Sequence, residues 1–158
     1  MNKIGGYGQT AKELFLEGFN CAQALLGAFD DLTGLDRQTS ARLASSFGGG
    51  MGRMREVCGT VSGALMVLGL TLGYDDPKDT EAKKAHYHLV QEYARRFREA
   101  NGSIICRDLL AGVQTTPGED PEERTESYYK KRPCPDLVGF AAELLEEILK
   151  ENDIIKEK

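Results

Sequence analysis

The sequence predicts an all-α protein, a compact bundle of five to seven helices, some of them short. Three observations predict it. Apolar residues recur at spacings of three and four along several stretches, no stretch alternates apolar and polar residues as a half-buried strand does, and the periodic stretches are bounded by helix caps and breakers.

Gln9 to Leu32 comes first, with Ala11, Leu14, Phe15, Phe19, Ala22, Leu25, Leu26 and Phe29 on the helical period. Gly18 interrupts it and Asn20 is a good cap, so a break here puts Cys21 in the first turn of a new segment. Gly34 ends the element. Asp36 to Phe47 reads as a short helix capped by Asp36, with Ala41, Leu43, Ala44 and Phe47 inward. Gly48-Gly49-Gly50-Met51-Gly52 is a loop in which backbone can take positive φ.

Cys58 to Leu72 is apolar nearly all round, and Gly59, Ser62, Gly63 and Ala64 let a neighbouring backbone come close; the bundle centre is its expected place. Asp79 to Ala100 is the longest amphipathic stretch, with Ala82, His86, Leu89, Val90, Tyr93 and Phe97 on one face. Ser103 can cap a short helix, Ile104 to Leu110, which carries Cys106. Val113 to Pro133 is a long polar connection or lid, with a short helix near Glu122 to Lys130. Pro135 to Glu151 closes the bundle, with Cys134 as cap and Leu137, Val138, Phe140, Ala141, Leu144, Leu145 and Ile148 inward. Glu151 to Lys158 reads as a fraying end.

The 158 residues fit a single helical domain, 1–158, with an ordinary core. A net charge of −5 and only 8% aromatic residues argue against nucleic acid as a partner. Met1 to Gly6 contains no apolar h-region, and the run Ala64 to Leu72 is about half the ~20 residues of a membrane span. No membrane association and a cytoplasmic location are therefore expected, where thiols are kept reduced and structural disulfides are rare.

Four cysteines are the candidate functional groups: Cys21, Cys58, Cys106 and Cys134. Three fall at expected helix starts, where partial positive charge and unpaired N–H groups favour a thiolate. Arg53 and Arg55 precede Cys58, Lys130, Lys131 and Arg132 precede Cys134, and Arg107 follows Cys106. Thiolate is both the nucleophile and the metal ligand. The bland reading, small buried hydrophobes, suits Cys106 best after Ile104-Ile105. No two cysteines form C-x-x-C, which removes the zinc-ribbon, thioredoxin and c-type haem modules.

The ordered set Gly18-Phe19-Asn20-Cys21-Ala22, Phe47-Gly48-Gly49-Gly50-Met51-Gly52, Cys58-Gly59-Thr60-Val61-Ser62-Gly63, Cys106-Arg107-Asp108-Leu109 and Cys134 resembles the C_GCAxxG_C_C family. These are redox-active bacterial and archaeal proteins with four cysteines around a Cys-Gly-Ala-x-x-Gly core. The resemblance runs from about Ala11 to Leu145. It implies a small helical domain and a redox role for Cys21, Cys58, Cys106 and Cys134. Thr60 stands where the family pattern has Ala.

Other motifs carry less. The glycine loop is followed by no G-K-[ST], and position 53 is Arg rather than the third Gly of a dinucleotide fingerprint, so packing and delivery of Cys58 are its expected roles. His86 and His88 point to opposite sides of one helix and cannot chelate together, although His86 on the apolar face could approach a thiol. Gly118 to Glu123 reads as a solvated acidic loop.

Three readings follow. The first is a thiol oxidoreductase with Cys21 and Cys58 as primary dithiol, Cys106 and Cys134 as second pair or relay, no cofactor required, and a redox protein or small-molecule oxidant or reductant as partner. The second makes the same four cysteines ligands to zinc or an iron–sulfur cluster. The third is a non-catalytic helical interaction module, such as a homodimer, using the 113–133 segment as contact surface or lid.

Overall fold

A computed structural model describes residues 6–156. Residues 1–5, most of the stretch without an apolar h-region, lie outside it, as do Glu157 and Lys158 of the expected fraying end. The protein is all-α. Six helices have seven or more residues: α1 (Gly6–Leu16), α2 (Cys21–Ala28), α4 (Arg37–Ala44), α6 (Gly59–Leu72), α7 (Thr80–Asn101) and α10 (Cys134–Glu151). Short turns fill the connections: α3 (Asp30–Thr33), α5 (Gly48–Met51), α8 (Cys106–Leu109) and α9 (Glu126–Lys131). Among the described residues no helix is long and apolar enough to cross a membrane.

The break between α1 and α2 follows from Gly18 and Asn20. Gly18 takes φ +110°, a conformation that suits a residue without Cβ. Asn20 then caps α2 through a reciprocal box: its Oδ1 accepts from the Gln23 N–H at 2.8 Å, and Gln23 Oε1 accepts from the Asn20 N–H at 3.0 Å. Asp36 caps α4 and Asp79 caps α7 one way only, each side chain accepting an N–H of the first turn.

One apolar core joins these helices. Leu25 and Leu26 of α2, Val61, Val67 and Leu68 of α6, Tyr93 and Phe97 of α7, and Leu145 and Ile148 of α10 are all fully buried. The Tyr93 hydroxyl keeps its hydrogen bond inside by donating to the Ala141 carbonyl at 2.8 Å.

The helices α2 and α6 pack closely. A Cβ on Gly63 would stand 2.9 Å from the Ala22 carbonyl oxygen and 3.1 Å from Leu25 Cβ; a Cβ on Gly59 would stand 2.4 Å from Cys21 Sγ. Two glycines four apart lie on one face of α6. They let its backbone rest against α2, which places the starts of the two helices, Cys58 and Cys21, together.

Several expectations are corrected by packing. Leu43 of α4 faces solvent, while Ser40 is the buried polar residue of that helix, donating to Asp30 at 2.7 Å. α6 is central from Gly59 through Leu68, while Leu70 near its end is exposed. On α7 only Tyr93 and Phe97 are fully buried; Ala82, His86, Leu89 and Val90 are half-buried because the first half of that helix borders an open groove. Cys134 is inside the first turn of α10, whose cap is Pro133, and Phe140 is only half-buried. Ile105 precedes α8, with Ser103 acting one step earlier by accepting the Ile105 N–H. The chain end does not fray at Glu151: Ile154 N–H bonds back to the Leu149 carbonyl at 2.9 Å, and Ile154 and Ile155 pack on the core.

Candidate functional site: four thiols around one cavity

All four cysteines line a single cavity of about 50 Å³, although 113 residues separate the first from the last. Each arrives by a different local device. Cys21 begins α2 behind the Asn20 cap, and Cys58 precedes α6. Cys106 is held beside Cys58 by a two-residue antiparallel bridge between Val57 and Ile105: Cys58 N–H bonds the Ile104 carbonyl at 2.8 Å, and Cys106 N–H bonds the Glu56 carbonyl at 2.6 Å. Cys134 enters on the first turn of α10.

The glycine loop closes the fourth side. Gly49, Gly50, Met51, Gly52 and Arg53 all have φ between 58° and 68°, so the α5 turn winds left-handed. Glycine accepts this freely; Met51, Arg53 and also Arg55 carry side chains in a region that costs about 1–3 kcal/mol for a non-glycine residue. The turn packs Gly50 against Cys106, where a Cβ would stand 2.7 Å from Cys106 Cβ, and directs the Gly49 N–H towards the Cys21 sulfur, which opposes the rise of that thiol's pKa. Positive φ in this loop is as expected from its composition. Its direct contact with two thiols was not legible.

The four sulfurs sit in different electrostatic settings. Burial pushes the Cys58 thiol up to about 12, with Cys21 as the next largest influence; the Thr60 hydroxyl, 3.0 Å from the sulfur, opposes the rise. Burial and the neighbouring Cys21 push Cys134 up to about 11, opposed by Arg132 through charge and a hydrogen bond. Cys21 is raised by burial and then lowered somewhat by the Gly49 N–H, with Cys106 acting to raise it. The expected thiolate-stabilising effect of helix starts is thus outweighed by burial at Cys21, Cys58 and Cys134. Cys106 has Arg55 at its sulfur, Nη1 donating to Sγ at 3.7 Å. No disulfide joins any of the four.

Of the cations expected near the thiols, Arg55 serves Cys106 rather than Cys58, and Arg132 serves Cys134. Arg53 turns away to the carbonyls of Asp120 and Thr116 and to Glu122, and Arg107 to the Met54 carbonyl and Glu56. Arg124 is a site residue that nothing in the sequence signals. It lies 103 residues after Cys21, carries no motif, and reaches the cavity by stacking on Phe15 (4.5 Å) and Tyr128 (4.8 Å). Arg124, Tyr128 and Arg132 place three side chains of the 113–133 connection on the cavity wall. His86 is elsewhere: it lines the groove beside α7 and meets Tyr74 edge-on, not a thiol. Among the described residues, no group of three or more His, Cys, Asp or Glu is arranged to hold a metal ion.

Fold and site together define a class: an all-α protein whose widely spaced cysteines converge on one cavity through glycine-mediated helix contacts. A family model described as "Putative redox-active protein (C_GCAxxG_C_C)" matches residues 19–148, and the chain belongs to that family. Searches of curated proteins and of solved structures return no match. The Cys-Gly-x-x-x-Gly core has a physical reason here, since at Gly59 and Gly63 the backbone of α6 lies too close to α2 to admit a side chain.

Proposed function

We propose that this redox-active protein works by dithiol–disulfide exchange within the four-cysteine cavity, as a thiol oxidoreductase of a reducing compartment such as the cytoplasm. The observation that carries the reading is the convergence of Cys21, Cys58, Cys106 and Cys134 on one small cavity, with the Arg55 guanidinium donating to the Cys106 sulfur at 3.7 Å. Exchange needs one thiolate to attack and a second thiol within reach to resolve.

Cys106, beside Arg55, is the attacking thiol. Cys21 resolves, since its sulfur lies against Gly59 beside Cys58 and lines the same cavity as Cys106. Cys21 and Cys58, at the starts of the two closely packed helices, form the primary dithiol to which the oxidation is passed. Two thiols then lose two protons and two electrons for each disulfide formed.

The test is redox titration of reduced protein prepared without oxygen, with disulfides mapped by mass spectrometry and metal measured on the same sample. A Cys21–Cys58 disulfide that is absent from Cys21→Ser, and slow to form in Cys106→Ser, is the expected result. Undiminished disulfide formation in Cys21→Ser overturns the assignment. Near-stoichiometric zinc or iron, lost together with stability in every Cys→Ser variant, replaces it with the ligand reading, in which binding free energy is part of folding free energy.

A further inference from the structure

The thiol cavity adjoins a larger vestibule of about 270 Å³, and the two share Asn20, Gly49, Arg55, Arg124, Tyr128 and Arg132. Three guanidiniums, Arg55, Arg124 and Arg132, line the inner cavity, and no carboxylate does. The vestibule adds Arg53 against Glu119 and Glu122. This is a locally cationic recess in a chain whose net charge is −5.

The carboxylates present do not neutralise it evenly. Glu122 is committed to Arg132 at 2.6 Å and Arg53 at 3.4 Å, and also accepts the Thr116 N–H at 2.9 Å. Among the described residues, Arg55 and Arg124 meet no carboxylate. Arg55 has the Cys106 sulfur, and Arg124 has two backbone carbonyls, of Phe15 at 3.5 Å and Phe19 at 3.3 Å, plus the aromatic faces of Phe15 and Tyr128. A recess with low-dielectric walls and an excess of one sign of charge concentrates ions of the other sign. Aromatic faces beside the guanidiniums add a surface for methylene groups.

Resting on the thiol-exchange reading, we propose that the vestibule selects a small disulfide bearing carboxylates, its anionic ends held by Arg124 and Arg55 and its sulfur–sulfur bond presented to Cys106. The volume admits a molecule of that size rather than the surface of a folded partner. The Cys106 thiolate attacks one substrate sulfur, the substrate S–S bond breaks, and one thiolate leaves and takes a proton. Cys21 gives up its proton and attacks Cys106 of the mixed disulfide, releasing the second substrate thiol. The protein dithiol is oxidised by two electrons and the substrate disulfide is reduced to two thiols.

The test compares three disulfides on the reduced protein: 3,3′-dithiodipropionate (dianionic), bis(2-hydroxyethyl) disulfide (neutral) and cystamine (dicationic). At low salt the dianion is expected to react about tenfold or more faster than the neutral compound, with cystamine slowest, as focusing by charged clefts produces. The ratio shrinks towards one at about 1 M salt, where charges are screened beyond about 3 Å. Arg124→Gln collapses the dianion-to-neutral ratio and Arg124→Lys restores part of it. If the arginines act only on the thiols, Arg124→Gln slows all three disulfides alike and the ratio stands, which overturns the proposal. Equal rates for the three probes overturn it as well.

Succinate binding by calorimetry separates this from the thiol reading. Saturable binding weakened in Arg124→Gln or Arg55→Gln, with no disulfide reactive, keeps the anion site and removes thiol exchange. Absence of binding, together with equal disulfide rates, removes the site and leaves exchange intact.

Discussion

The Thr60 hydroxyl stands 3.0 Å from the Cys58 sulfur, at the position where this chain departs from the Cys-Gly-Ala-x-x-Gly core of its family. Alanine would leave that sulfur without a side-chain partner two residues on. The hydroxyl opposes the rise that burial imposes on the Cys58 thiol, and so makes a deeply buried sulfur easier to ionise.

Thr60→Ala is therefore expected to slow alkylation of Cys58, read site by site by mass spectrometry, by roughly fivefold, as loss of a hydrogen bond worth about 1 kcal/mol does. Thr60→Ser, which keeps the hydroxyl, restores the rate. Loss of packing alone would slow neither reaction selectively. Equal alkylation of Cys58 in wild type and Thr60→Ala removes the assigned role.

The raised thiols also govern stability at alkaline pH. A thiol whose folded pKa lies above its unfolded value keeps its proton longer in the folded state. Its contribution is full below the ordinary value of 9.0 and is lost as pH rises through the folded value, about 11 for Cys134 and about 12 for Cys58. Denaturation midpoints should thus hold level to about pH 8.5 and fall steeply between 9 and 12. Tyrosines ionise in part of this window, so the check is Cys58→Ser, which should fall less steeply than wild type. Identical slopes would show that the Cys58 proton contributes nothing.

The contact between α2 and α6 predicts a different failure. Gly63→Ala adds a methyl 2.9 Å from the Ala22 carbonyl, with helix backbone on both sides and no flexible side chain to yield. Overpacking of this kind costs about 1–3 kcal/mol. Gly69→Ala, on the same helix with nothing near its would-be Cβ, is the control and should stabilise, since alanine favours helix over glycine by about 1 kcal/mol. Opposite shifts in the urea midpoint support a glycine-mediated crossing. A stabilising Gly63→Ala would refute it.

The helices were legible where local rules decide them. The Asn20 box, the Asp36 and Asp79 caps and the break at Gly18 are written within four residues of their effects. Burial was less legible. Leu43 and Leu70 carry the right residue type on the right period, yet exposure depends on which neighbour covers them, and none does. At the site, the cysteines were visible as residues, but their convergence depends on the pairing of Val57 with Ile105 and on two glycines in α6. Arg124 was invisible for a related reason: its place is set by Phe15 and Tyr128, one of them 109 residues away.

The left-handed turn over the thiols gives the last prediction, a pair of substitutions with opposite signs. Met51 has φ +68° and is partly exposed, so its side chain contributes little packing while its backbone sits in a region unfavourable to L-residues by roughly 1–2 kcal/mol. Met51→Gly relieves that strain, offset in part by the greater entropy glycine loses on folding, and should stabilise by about 0.5–1 kcal/mol. Gly50→Ala does the reverse twice over. It places a Cβ at φ +68° and sets it 2.7 Å from both Cys106 Cβ and the Glu56 backbone nitrogen. That residue cannot shift without moving the bridge that holds Cys106 beside Cys58. Gly50→Ala should therefore cost about 2–4 kcal/mol, the strain and overpacking combined, and should also displace Cys106 from Arg55. Urea denaturation gives the first effect and the alkylation rate of Cys106 the second. If Gly50→Ala lowers stability yet leaves Cys106 reacting as before, the turn serves the fold alone; if the Cys106 rate falls with it, the strained loop is what positions the Cys106 thiol.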